Sequence, residues 1–189
     1  MFLALLSSVK EEPEWHSSLF YGDYYYTNQD YSSALHWYSF AASMGSPTAC
    51  TVIGGLYTFG LGVNKDYTTG LEWYSKAVLR GCPIAQTYMG LEMVKQNRFK
   101  EAVHLYGLAA CQGYAQAYYC LGVLYTKLNK NETNPWISVY NERKIFEYFG
   151  LAAKQGYSKA VLEVAKCFEF GIGTKVDVQQ ARYFFKVVK

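Results

Sequence analysis

The chain has 189 residues, 51% of them apolar, and its 18 basic and 15 acidic side chains leave a formal net charge of +3. Such a composition excludes a disordered chain, and so small and scattered a charge lacks the clustered positive surface that sequence-independent nucleic-acid binding needs. The 19 tyrosines depart most from average usage and suit helices packed through rings whose hydroxyls reach water or backbone carbonyls.

In chain order, the opening "MFLALLSSV" is far shorter than the roughly 20 apolar residues of a membrane span. It also lacks the positive leading segment of a secretory signal, and is expected to form an apolar turn against the next helix. Glu11-Glu12 before Pro13 reads as a solvated entry segment. No later apolar run is long enough to cross a membrane.

From Tyr21 onward the chain repeats itself, and that repetition decides the fold. Five stretches end alike: "ALHWYSFAASMG" (34–45), "GLEWYSKAVLRG" (70–81), "AVHLYGLAACQG" (102–113), "IFEYFGLAAKQG" (145–156) and "ARYFFKVVK" (181–189). Their closing glycines, Gly45, Gly81, Gly113 and Gly156, lie 36, 32 and 43 residues apart, and a glycine there suits a left-handed helix C-cap. Each stretch follows a second signature: Tyr21-Gly22, Ile53-Gly54, Met89-Gly90, Leu121-Gly122 and Val164-Ala165, with Tyr25, Tyr57, Met93, Tyr125 and Phe168 three residues past the small one. These offsets share a helical face, and the small residue admits a neighbouring helix. Asp30, Asp66 and Asp177 precede second helices as N-caps or first-turn acids. No segment alternates with period two, so no sheet is expected. "GLGV" (60–63) and "GIGT" (171–174) turn the chain between paired helices. A dinucleotide fingerprint would need a preceding strand and more glycines, and a P-loop would need Gly-Lys-Ser/Thr.

These residues resemble the Sel-1-like repeats, relatives of the tetratricopeptide repeats. The second unit, "TACTVIGGLYTFGLGVNKDYTTGLEWYSKAVLRG", carries the Gly, Tyr, Gly-x-Gly-Val, Asp and Trp-Tyr-x-x-Ala in family order. The third unit is short, the fourth carries a long insertion at 127–144, and the fifth lacks its closing glycine. The resemblance implies one all-α domain over 1–189, a right-handed α-solenoid of about five stacked hairpins with repeats at 15–45, 46–81, 82–113, 114–156 and 157–189. It also implies an adaptor with no enzymatic activity of its own. A disulfide staple found in a bacterial branch would place Cys50 opposite Ala42, so that staple is absent.

Cys50, Cys82, Cys111, Cys120 and Cys167 are odd in number and show no CxxC spacing. A reducing compartment, cytoplasm or mitochondrion, is the expectation. The Asn131-Glu132-Thr133 sequon leaves the endoplasmic-reticulum lumen as the alternative. No cofactor or metal is expected. His36 and His104 fall on helices two repeats apart, roughly 20 Å or more, too far to share a zinc ion, and no histidine stands placed as a base for Cys111 or Cys167.

Function is therefore expected on the first helices, as a groove for a protein segment. Counting one, four and five residues past each first-helix glycine or its equivalent gives Asp23, Tyr26 and Thr27; Gly55, Thr58 and Phe59; Leu91, Val94 and Lys95; Val123, Thr126 and Lys127; and Lys166, Glu169 and Phe170. The inserted loop offers Trp136 and Ile137 as a second contact surface, or folds back on its own repeat. The pairs Trp37-Tyr38, Trp73-Tyr74, Tyr148-Phe149 and Phe184-Phe185 are assigned to the inter-repeat core. The end "FFKVVK" reads as an uncovered apolar edge, either of a longer array or of a subunit docked permanently in a complex through that edge and the loop.

Overall fold

The structure is a computed structural model that describes residues 15–130 and 132–187. The "MFLALLSSV" opening, Glu11-Glu12, Asn131 of the sequon and Val188 lie outside the described residues. Within them the chain forms ten helices and no strand: α1 (Trp15–Thr27), α2 (Tyr31–Ser43), α3 (Pro47–Phe59), α4 (Tyr67–Leu79), α5 (Pro83–Lys95), α6 (Phe99–Cys111), α7 (Ala115–Asn129), α8 (Pro135–Lys154), α9 (Ser158–Phe170) and α10 (Val178–Val187). They pair as five hairpins, the all-α solenoid architecture that the repetition predicts. Contacts gather these helices into two compact units, residues 1–85 and 86–189.

The ends of the helices follow from local chemistry. Gly45, Gly81, Gly113 and Gly156 all have positive φ, and each closes the second helix of a hairpin with the same pair of backbone bonds. After α2, Gly45 N–H donates to Ala42 O at 3.0 Å and Ser46 N–H to Ala41 O at 3.0 Å, the Schellman pattern. The joints 44–46, 80–82, 112–114 and 155–157 are therefore all three residues long. Turns inside hairpins vary from three residues (28–30, 96–98) to seven (60–66, 171–177). The short ones place Gln29 and Asn97 at positive φ, and the long ones use Gly60, Gly62, Gly171 and Gly173.

The sequence alone assigned those long turns only to reversing the chain, and the structure adds a reason for the second glycine of each. A Cβ on Gly62 would lie 2.6 Å from the carbonyl carbon of Tyr31, and one on Gly173 would strike the Glu142 carbonyl. Each turn is thus pressed against the second helix of the preceding hairpin. Asp30, Asp66 and Asp177 cap the following helices, accepting from Ser33 N, Thr68 and Thr69 N, and Gln179 and Gln180 N respectively. The Thr69 hydroxyl, followed by the backbone bonds, holds the Asp66 carboxyl below the ordinary aspartate value. Ser33 does the same for Asp30. That cap contribution is complete above the unfolded value of about 3.9 and is lost as pH falls through the lower folded value.

Hairpins close by seating a ring on a glycine. A Cβ on Gly22 would be 2.6 Å from the Tyr38 ring, on Gly54 3.0 Å from Tyr74, on Gly90 2.5 Å from Tyr106 and on Gly122 2.5 Å from Phe149. Ala165 takes this place in the last hairpin. Around the contact, Ala34, Ala41, Ala77, Ala102, Ala109 and Ala152 are fully buried, small enough to let the helices approach. The aromatic pairs are consequently split, which corrects their assignment to an inter-repeat core. Tyr38, Tyr74 and Phe149 are buried inside their own hairpins, whereas Trp37, Trp73, Tyr148 and Phe184 are half-buried. Phe184 is not an uncovered edge, because it stacks on Phe168 with ring centroids 5.8 Å apart.

The insertion at 127–144 is helix, not a long loop. In the other hairpins the second helix begins seven residues before its buried ring (Tyr31 to Tyr38, Tyr67 to Tyr74), but α8 begins fourteen before Phe149. Seven extra residues are about two turns, so the added segment keeps the register of the helix it extends. Asn134 caps it at Trp136 N, and buried Asn141 donates to Asn129 Oδ1 at 3.3 Å, tying it to α7.

Gly90→Ala should therefore lower stability by up to about 2 kcal/mol, since overpacking of about 1–3 kcal/mol is set against about 1 kcal/mol of helix propensity. Gly107→Ala, with no atom within 4 Å of its added methyl, should raise stability by about 0.5–1 kcal/mol. Urea denaturation midpoints check the pair, and the opposite ranking would refute ring-on-glycine closure.

Candidate functional site

The first-helix positions separate by burial. In residues 1–85, Phe59 is 69% exposed at the end of α3 and Tyr26 is 39% exposed on α1. Tyr26 also meets Tyr31 and Tyr38 edge-on at 5.4 and 6.4 Å, so it serves packing as well as surface. Asp23 is exposed and accepts the Tyr38 hydroxyl at 2.7 Å. Desolvation of that phenol, and then this bond, push the Tyr38 hydroxyl well above the ordinary tyrosine value. Thr27 is exposed, with its hydroxyl returned to Tyr24 O. Thr58 is the exception and a correction. It is 4% exposed, its hydroxyl donates to Gly55 O, and its methyl faces Gly70 of α4. The helix-on-helix crossing at Gly54 and Gly70 rotates it inward, so it presents nothing to a partner.

In residues 86–189 the first helices form a defined depression. Leu91 and Val94 of α5 and Tyr119, Cys120, Val123, Leu124 and Lys127 of α7, together with Tyr106 of α6, enclose an apolar notch of about 150 Å³. Its floor is the ring-on-glycine contact itself: Tyr106, Cys120 and Leu124 are at most 9% exposed. Its rim is Leu91 and Val123, 39% and 45% exposed. Lys127 lays its stem along the wall and its ammonium 4.9 Å from the centre of the Phe99 ring. The neighbouring cations are paired, Lys95 Nζ to Glu92 at 2.6 Å and Lys166 Nζ to Glu163 at 2.8 Å. Thr126 is exposed and bonded to Gly122 O. Glu169 is exposed and Phe170 is 67% exposed at the end of α9.

Counting one, four and five residues past the glycine therefore finds Leu91, Val94, Val123 and Lys127, but misses Tyr119. That residue lies three before Gly122, one turn earlier on the same helical face, where it could have been found. The floor was hidden because Tyr106 and Cys120 read as core, which they also are.

A second depression opens beside the last hairpin. Phe146, Gly150, Ala153 and Lys154 of α8, Val161, Val164 and Phe168 of α9, and Tyr183, Phe184 and Val187 of α10 line a groove of about 410 Å³. Four residues before the first-helix small residue, the second hairpin has Cys50, which accepts from Arg80 Nη1 at 2.7 Å; the third has Gln86, which accepts from Gln112 at 2.9 Å; and the fourth has Tyr118, stacked on Tyr148 at 6.5 Å. The fifth has Val161, which lines the groove. Trp136 and Ile137 are 84% and 45% exposed in the first turn of α8, followed by exposed Val139 and Tyr140. They form an apolar tip on a helix. His36 and His104 are both exposed, and the described residues hold no cluster of three or more metal-ligating side chains.

Comparison with known proteins places this geometry. The Sel1 repeat family model matches residues 17–46, 47–82, 84–114, 140–157 and 158–186, leaving out α7 and the first turn of α8. The chain is similar to a Sel1 repeat protein from Oxalobacter formigenes, at 25% identity over 98% of this chain and 76% of that one, with a TM-score of 0.79. It shares its fold with a sel1 repeat protein from Klebsiella pneumoniae, at 20% identity over 93% and 86% of the two chains and a TM-score of 0.57. No curated protein sequence matches it.

The thiols give this geometry a direct check. All five cysteines are free, and Cys111 alone is exposed. Burial pushes Cys120 up to about 11 and Cys167 up to about 12, which leaves Cys120 about 0.1% thiolate at pH 8. Since the thiolate is the reactive form, Ellman's reagent at pH 8 should titrate one thiol in the native protein, none in Cys111→Ser, and five after denaturation. A second fast-reacting thiol in the native protein that disappears in Cys120→Ser would show that the notch floor is open.

Proposed function

Since the chain belongs to the Sel1 repeat family, whose members generally serve as protein–protein interaction modules, we propose that it is a non-enzymatic scaffold that grips a segment of a partner protein on its first-helix face. The observation that carries this reading is the notch between α5 and α7. There the positions that repeat from hairpin to hairpin are apolar, exposed at the rim and floored by rigid core. A recessed apolar site with a few polar groups at its edge suits anchoring of a side chain from a bound peptide. Phe59 in residues 1–85 and Phe170 at the end of α9 extend the same kind of surface within each unit.

The groove at the last hairpin favours a second reading, a structural subunit held permanently in a complex through α8–α10 and the Trp136–Ile137 tip. At about 410 Å³ this groove is the larger of the two depressions, but it is also the more open, and none of the first-helix positions Lys166, Glu169 and Phe170 lines it. We therefore place binding on the first helices.

A photo-activatable cross-linker discriminates the two readings. Installed at Phe59, Val123 or Phe170, it should trap the same partner in the native setting, while installation at Val187 or Trp136 should trap none. Phe59→Ala should weaken capture while moving the melting temperature by less than about 2 °C, as expected of an exposed ring. Adducts from Val187 and Trp136 alone would overturn the scaffold reading in favour of the subunit.

A further inference from the structure

We infer that the notch between α5 and α7 selects a partner segment in which an aromatic side chain is followed or preceded, within two residues, by a carboxylate. The inference rests on the first-helix face being the binding face and adds the chemistry that face reads. Size sets the first half. A dry apolar cavity near 150 Å³ accepts a benzene ring, and this notch has that volume with walls of Leu91, Val94, Val123 and Leu124. Its floor cannot give way to something larger, because Tyr106 is pinned on Gly90, where even a methyl would lie 2.5 Å from the ring. Tyr106 and Tyr119 in the lining also offer a ring the contacts aromatic groups prefer.

Charge sets the second half. Lys95, Lys127 and Lys166 bring three ammoniums to the neighbourhood of the notch, and Glu92 and Glu163 bring two carboxylates, which are spent on Lys95 and Lys166. Among the described residues Lys127 has only the face of Phe99. Lys127 is exposed and lines the notch, with its ammonium held over the Phe99 ring, so a short swing of a flexible side chain brings that charge to a bound segment. A segment seated by its ring brings neighbouring backbone past that ammonium, where a carboxylate is attracted and a basic residue repelled. A Lys side chain reaches about two residues along an extended peptide, at roughly 3.3 Å per residue.

The test is selection of a random dodecapeptide library displayed on phage against the immobilised full chain. The expected result is enrichment of Phe or Tyr with Asp or Glu one or two positions away. Affinity of the selected peptides should fall at least tenfold in Val123→Trp, which fills the notch. It should fall about fivefold in Lys127→Glu, and that loss should shrink between 50 and 500 mM salt as screening grows. Thermal melts establish that both variants fold. If Val123→Trp does not, Lys127→Glu and the salt series decide alone. Peptides that bind but are aromatic-basic or purely aliphatic, or that ignore Lys127→Glu, overturn this inference and leave the scaffold reading standing. Failure of any peptide to bind overturns both.

Discussion

Everything in this molecule depends on how closely a tyrosine or phenylalanine ring can lie on the backbone of the helix beside it. At Gly22, Gly54, Gly90 and Gly122 the ring takes the space that a Cβ would occupy. The contact exacts a helix-weakening residue in mid-helix, a cost of about 1 kcal/mol relative to alanine. The structure recovers this through burial of a large ring and through the close approach of two helices whose other facing residues are alanines. Because the glycine sets the depth of contact, it also sets the rotation of the first helix, and with it which side chains are left outside.

That rotation explains both the success and the failure of reading the surface by offsets. Tyr26, Thr126 and Glu169 point outward as the counting requires, yet Thr58, at the same offset of four residues, is turned against Gly70. The second hairpin alone has glycines on both helices at their crossing, and the closer approach buries a threonine that a wider crossing would expose. A face inferred from periodicity assumes that all crossings are alike; a single glycine on the second helix is enough to break the assumption.

The architecture was legible because the residues that build it admit little substitution. A left-handed cap requires glycine or its nearest substitutes, a ring seat requires the absence of a side chain, and an N-cap requires a short oxygen-bearing one, so each leaves a mark at a fixed interval. The surface leaves no such mark. Tyr119 escaped because it lies a turn before the glycine, and the notch escaped because depth is a property of three helices at once. The insertion was misread as loop because "NKNETNP" breaks a helix locally, while the two turns added after Pro135 carry ordinary helix-compatible residues. The groove at the last hairpin could not be read at all, since its lining comes from three helices, α8, α9 and α10, whose meeting no sequence offset records.

The two kinds of connection between helices differ in a way that matters for protein engineering. Joints between hairpins are uniformly three residues and locked by the same pair of backbone bonds, whereas turns within hairpins run from three to seven residues, and one already tolerates a helical graft of two turns. Epitope tags, reporter domains or extra recognition loops belong at the turn between α7 and α8, whereas 28–30 and 96–98 carry the same bond pair as the joints, Gln29 N–H to Tyr26 O with Asp30 N–H to Tyr25 O and Asn97 N–H to Val94 O with Arg98 N–H to Met93 O. Cargo spliced at 80–82 or 112–114 would sever the clasp that fixes each module to the next.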